Sequence, residues 1–208
     1  MMTEREKRVV RLANELVRRH ACTLPVDVAA LCPLYGARLV TLSELEEKGL
    51  DRDTVFALWG NRDGVAMAGR RGRAIGYNDR AAEKRIRFTL AEELMHLLLG
   101  HSEDSGFAAL EQSYDDETYA RYETEAKRGA CMLLVPPTVY FRYRELYGVA
   151  GIARLCRVSQ ACAWTAAQYY ERNESELRAL FTARPLRCDT RGLPRRRPIR
   201  PVRVEIGR

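Results

Sequence analysis

The chain of 208 residues contains no apolar run near the roughly 20 residues a membrane-spanning helix requires, so no bilayer span is expected. It contains no C-x-x-C pair. Its six cysteines, at positions 22, 32, 131, 156, 162 and 188, sit singly and mostly inside apolar stretches. That spacing argues against a disulfide framework and for small buried hydrophobes in a reducing compartment. Met1 to Lys7 is polar and charged and leads straight into a helical pattern, so no secretory signal is expected and a cytoplasmic location follows. There is no internal repeat. Outside one segment there is also no net charge. The chain carries +7, from 35 Lys and Arg against 28 Asp and Glu, and residues 184–208 hold nine arginines against only Asp189 and Glu205. The tail is basic and the body is neutral.

What is present is a hydrophobic fraction of 46%, enough for a core without covalent staples. Apolar residues recur at helical spacing from Thr3 to His20. Pro25 suits the first turn of a short second helix through Leu31, and Gly36 stops it before a strand over Ala37–Leu42. Ser43 and Glu46 have the spacing of a capping box, so a brief helix is expected there. Val55–Trp59, Val65–Gly69 and Ala74–Tyr77 read as three strands of an antiparallel meander, separated by turn residues. Asp79 is placed to cap a long, almost wholly apolar helix that ends at Gly100. Further helices are expected over Glu117–Val135, Val149–Cys156 and Ser159–Arg172. The order of helices, strands and helices gives an α+β fold. The divisions expected are 1–136, a helical part over 137–183, and an Arg/Pro-rich tail over 184–208.

The long helix carries the chemistry. Within Leu90-Ala91-Glu92-Glu93-Leu94-Met95-His96-Leu97, Glu92 and His96 lie four apart and project from one face. Polar groups inside so apolar a helix are costly unless something satisfies them. In H-E-x-x-H two histidines at this spacing hold zinc and the Glu activates water; here the frame is E-E-x-x-H. A second element, Glu123-Thr124-Glu125-Ala126-Lys127 in the helix expected over Glu117–Val135, offers a carboxylate as a third ligand.

With these two elements the chain resembles the ImmA/IrrE-type metallopeptidase family, whose pattern runs approximately R-F-T-L-A-H-E-L-G-H-L-L-L and then E-x-E-A-N-x-F-A-A-x-L-L-M-P. The matches are Arg87-Phe88-Thr89-Leu90-Ala91, Glu93-Leu94, His96-Leu97-Leu98-Leu99, Glu123, Glu125-Ala126, Ala130, Leu133-Leu134 and Pro136. Ile75-Gly76-Tyr77-Asn78 resembles the strand that precedes the family's helix, and the likeness spans about residues 5–172. The resemblance implies a metallopeptidase-like domain. In it Glu93 is the general base, His96 and Glu123 are zinc ligands, and Glu125 stands in reserve for Glu123. Three positions depart from the pattern: Glu92 replaces the first histidine, Lys127 replaces the Asn or Asp beyond the ligand Glu, and Gly129 replaces Phe.

In the family the residue at position 127 steadies the first histidine, so both members of that pair have changed. Glu92 and Lys127 are therefore expected to face each other as an ion pair that needs no metal. The competing reading keeps one zinc ion on Glu92, His96 and Glu123, a weaker Lewis acid than a two-histidine site. A third is that Glu92 and Glu93 are merely solvated at a cleft. His20 is expected to end its helix or lie at the surface, and His101 to cap its helix or lie at the surface, with a reach into the cleft as the alternative.

Ile152 to Ala161 looks like the turn of a helix-turn-helix with Ser159 as N-cap, but Ala161, Trp164, Ala166 and Ala167 suit packing better than base reading. The tail, centred on Arg195-Arg196-Arg197, is expected to be a solvated end, a phosphate-contacting arm for nucleic acid, or a clamp on an acidic partner. Family resemblance implies a regulatory protein that acts on, or binds, a helix-turn-helix repressor, in a stress-response or mobile-element setting. Its metal site is expected to be degenerate, with an active zinc-dependent endopeptidase as the alternative. A peptide partner is expected to pair with an edge of the meander, at Val55–Trp59 or Ala74–Tyr77.

Overall fold

The computed structural model describes residues 1–20, 23–60, 62–70, 72–101, 116–184, 186–191 and 193. Helix α1 (Glu4–His20) forms where Val9, Val10, Ala13, Leu16 and Val17 make one buried stripe. Glu4 and Glu6 in its first turn and Arg18, Arg19 and His20 in its last complement the helix dipole. Helix α2 (Val28–Leu34) starts three residues later than Pro25 suggests, because the Asp27 side chain caps it by accepting from the Ala30 N–H. Strand β1 (Ala37–Thr41) runs directly into α3 (Leu42–Glu47), and Thr41, not Ser43, caps that helix through the Glu44 N–H.

Val55–Trp59 is not a strand. It lies in α4 (Arg52–Leu58) and its C-cap, started by the Asp51 side chain on the Thr54 N–H. Val55 and Trp59, four apart, bury one face against Leu42. The spacing of those two apolar residues, with an acidic cap ahead of them, was the signal for a helix. Among the described residues the sheet has three strands, but it is not an antiparallel meander. Strand β2 (Gly64–Gly69) pairs antiparallel with β3 (Gly72–Tyr77), and β1 pairs parallel with β3, giving the order β1-β3-β2. Ala74–Tyr77 is therefore in the central strand, with both sides paired. The edge nearest the long helix is β2.

Asp79 does not cap that helix either. Its carboxylate accepts from the Ser43 N–H at 3.1 Å, tying α3 to the segment before α5 (Glu83–Leu99). Gly100 then ends α5 in the left-handed conformation (φ 81°), which only glycine adopts at little cost. Helix α6 (Asp116–Leu134) packs along α5 and α1, and Gly129 makes the close approach possible. A Cβ there would lie 2.3 Å from Met95 Cε, so the family's Phe has no room beside this methionine.

Helix α7 (Pro137–Cys156) is broken by non-helical backbone at Gly148, so its second half starts where the sequence predicts. The turn into α8 (Gln160–Arg172) has Arg157 in the left-handed region and Ser159 capping the Cys162 N–H. Ala163, Ala166, Ala167 and Tyr170 of α8 are buried, and the Tyr170 hydroxyl donates to the Val135 carbonyl at 2.7 Å. Helix α9 (Glu174–Leu180) lies against α1, α7 and α8. Beyond it the Leu24 N–H donates to the Arg187 carbonyl at 2.8 Å, so this part of the tail lies along the body. The arginines from 195 onward are outside the described residues.

β2 meets α5 at Gly64, where a Cβ would sit 2.3 Å from Thr89 Cγ2 and 3.0 Å from the Gly76 carbonyl. Gly69, in the same strand, has nothing within 4 Å of its would-be Cβ. Gly64→Ala is expected to lower stability by about 1–3 kcal/mol in urea unfolding, through overpacking, with Gly69→Ala close to neutral. Equal effects would show that the sheet does not seat on α5 at Gly64.

Candidate functional site

Helices α5 and α6 face each other where their polar groups lie. α5 supplies Glu92, Glu93 and His96, and α6 supplies Tyr119, Glu123 and Lys127. Arg62, ahead of β2, closes the third side. The resulting cleft, of about 380 Å³, is lined by Arg62, Arg85, Glu92, Glu93, Glu123 and Lys127 among others.

Glu93 is only 8% exposed. Burial pushes its carboxyl up from 4.5 to about 7, with His96 opposing and Glu92 and Glu123 adding to the rise. Glu92 is also raised, by burial and by Glu123, and Lys127 only partly offsets this. Glu123 behaves oppositely. Burial would raise it, but hydrogen bonds from His96 and Lys127 prevail and hold it at about 2. Its Oε1 accepts from Arg62 at 3.0 Å and from the Tyr119 hydroxyl at 3.2 Å, and lies 3.5 Å from His96 Nε2. Its Oε2 accepts from Lys127 Nζ at 2.7 Å. Lys127 also stands 3.8 Å from Glu92 Oε1, within ion-pair range. The pairing expected with Glu92 is thus shared, and Glu123, four residues back on the same helix, holds the ammonium closer. Lys127 is 54% exposed, so the interaction is partly screened.

For His101 the less favoured of the two readings is the one that the structure bears out. The residue is 3% exposed and belongs to the site. The left-handed turn at Gly100 folds the chain back, so that the His101 N–H donates to the His96 carbonyl. Its ring stacks on Tyr122 at 4.1 Å. Its Nε2 lies 3.2 Å from Glu125 Oε2, and its Nδ1 lies 3.2 Å from His96 Nδ1. Burial, and then the nearby His96, lower the imidazole to about 3, so it is neutral at ordinary pH. A neutral ring that donates from Nε2 to Glu125 accepts at Nδ1, which sets His96 to donate from its own Nδ1. His96 Nε2 is then directed at Glu123. Burial would lower His96, but the hydrogen bond to Glu123 and the surrounding carboxylates outweigh it and raise the ring above 6.5. Glu125, the reserve for Glu123, is occupied by His101. The only hint in the sequence was a histidine directly after a helix-ending glycine.

A zinc ion does not fit these residues as they are arranged. Both oxygens of Glu123 already face cations, Arg62 and Lys127, and Lys127 also lies beside Glu92. Among the described residues, no group of three or more His, Cys, Asp and Glu side chains is placed to hold a metal ion.

The Peptidase M78 family pattern, described as the IrrE N-terminal-like domain, matches residues 47–172, more than half of the chain. No curated protein matches the chain. Among solved structures, a Mycobacterium tuberculosis transcriptional regulator is similar at 15% identity, with a TM-score of 0.48. The similarity covers 78% of this chain and 46% of that one, so the chain spans less than half of the regulator's length.

The Glu93 shift has a consequence for stability. An acid whose folded-state pKa is raised from 4.5 to about 7 binds a proton in the folded state that the unfolded chain has released. Stability is therefore fully present below about 4.5 and lost as pH rises through about 7. Glu93→Gln is expected to remove this loss, making the variant more stable than the parent at pH 8 by on the order of 2 kcal/mol. Parallel pH profiles in urea would show that Glu93 ionises freely.

Proposed function

The chain belongs to the IrrE N-terminal-like family, and we propose that it is a regulatory protein of that metallopeptidase fold whose metal site has been replaced by paired charges. One observation carries the proposal: the Lys127 ammonium lies 2.7 Å from Glu123 and 3.8 Å from Glu92, against the two carboxylates that would hold a cation. An ammonium and a divalent ion compete for the same oxygens. The partner is a helix-turn-helix repressor protein in the cytoplasm, as the family resemblance implies. A peptide segment of that partner pairs with β2, an edge strand of the described sheet whose first residue, Gly64, lies against Thr89 and Glu93.

A second reading is favoured by one feature. Glu93, at about 7, has the basicity suited to a general base at neutral pH. In that reading the protein is a zinc-dependent endopeptidase with Glu92, His96 and Glu123 as ligands. Nucleic-acid binding through 184–208 is a third reading, and most of that segment is outside the described residues.

Zinc titration separates the first two. The parent protein is expected to compete poorly with a chromogenic chelator. Glu92→His alone is expected to change little, because Lys127 repels both the cation and a protonated imidazole. Glu92→His with Lys127→Asn rebuilds two histidines, one carboxylate and their support, and should raise affinity by about 100-fold or more. Tight zinc binding by the parent, together with peptide cleavage lost in Glu93→Gln, would establish the endopeptidase instead.

A further inference from the structure

Beside the carboxylate cleft lies a larger groove, of about 820 Å³, between the start of α5, the middle of α6 and α8. Arg85, Phe88 and Lys127 line both, so the two are continuous. The groove's walls are apolar, with Phe88, Cys131, Cys162, Ala166, Tyr169 and Tyr170 among them. Its other charged lining residues are all cations: Lys84, Arg85, Lys127, Arg128 and Arg172, with no carboxylate. On a body whose overall charge balances, that is a local concentration of one sign.

Three of these cations have acidic partners on the protein: Arg85 with Asp63, Lys127 with Glu123 and Arg128 with Glu6, each at 2.7 Å. Lys84 and Arg172 are exposed, and neither has an ion-pair partner among the described residues. The Tyr169 hydroxyl is buried in the wall with no hydrogen-bond partner among the described residues. The α8 side of the groove is built from small residues, Ser159, Ala161, Thr165 and Ala166, which allow another backbone to come close.

We propose that this groove receives an acidic amphipathic helix of the protein partner, its apolar face against Phe88 and Tyr169 and its carboxylates against Lys84 and Arg172. Helix-in-groove recognition needs an apolar trough with charges on its rim, and both are present. Continuity with the carboxylate cleft places the helix next to the segment paired with β2. The chain's own arginine-rich tail has the wrong charge to occupy the groove. The inference rests on the reading that the cleft engages a protein partner.

The test uses the full chain and a fluorescent synthetic helix of about 18 residues, with Leu and Phe on one face and Glu elsewhere. A twin peptide carries Lys in place of each Glu, and decanoate serves as a small amphipathic anion. In anisotropy titrations the acidic helix should bind at least about 10-fold more tightly than its basic twin. Lys84→Glu with Arg172→Glu should reverse that preference. Ala161→Trp, an exposed substitution that fills the groove, should abolish binding without changing the circular dichroism. Equal binding of the two peptides, or indifference to the charge reversal, would overturn the proposal. Binding of decanoate with neither peptide bound would overturn it in favour of a small ligand. No metal and no cleavage enter this readout, so its failure is distinct from failure of the charge-replacement reading, which zinc titration tests.

Discussion

Three carboxylates, Glu92, Glu93 and Glu123, share one partly buried cleft, and their mutual repulsion has to be neutralised. In a metal centre a divalent ion would do this. Here the load is divided. Glu123 stays ionised, held at about 2 by His96 and Lys127 with Arg62 beside it, while Glu93 keeps its proton up to about 7. Glu92 lies between these extremes, raised by burial and only partly offset by Lys127. The surrounding packing serves this arrangement. Gly64 lets β2 close over Glu93, Gly129 lets α6 approach Met95 on α5, and Gly100 returns His101 beneath His96. Each close contact brings the charged groups nearer together, so the need for neutralisation follows from the packing itself.

Much of this was legible in the sequence, for identifiable reasons. Glu92, Glu93 and His96 fell on one turn of an unmistakable apolar helix, and Glu123 and Lys127 on one face of the next, because helical spacing fixes which side chains share a face. What failed was local competition and pairing. Val55 and Trp59 suit a strand by propensity, but Asp51 offered a cap and their spacing of four offered a buried helical face, and the helix won. The partner of a strand is not written in its own residues, so the parallel pairing of β1 with β3 across a long crossover was invisible, and β2 rather than β3 became the edge. The reach of His101 into the cleft was the less favoured reading because it depends on a backbone reversal at Gly100 and on residues of a different helix, Tyr122 and Glu125. The exclusive pair expected for Glu92 and Lys127 became a shared one because Glu123 is nearer along the same helix.

The chemistry of the two adjoining basins points one way. The carboxylate cleft holds its own cations, and the charged residues lining the neighbouring apolar groove are all cations, with Lys127 common to both. An acidic partner reaching that residue would compete with Glu123 and Glu92 for it. On the proposed helix-in-groove docking, a partner in the groove would draw on the same ammonium that offsets the cleft carboxylates. That link requires the charge-paired cleft, in which Lys127 stands against Glu123 and Glu92.

The direct measurement is anomalous scattering at the zinc edge from crystals of the unaltered protein grown with excess zinc. The account predicts no anomalous peak among Glu92, His96 and Glu123, with Lys127 Nζ remaining against Glu123 and within ion-pair distance of Glu92. A well-occupied zinc ion on those three side chains, with Lys127 turned out to solvent, would contradict it.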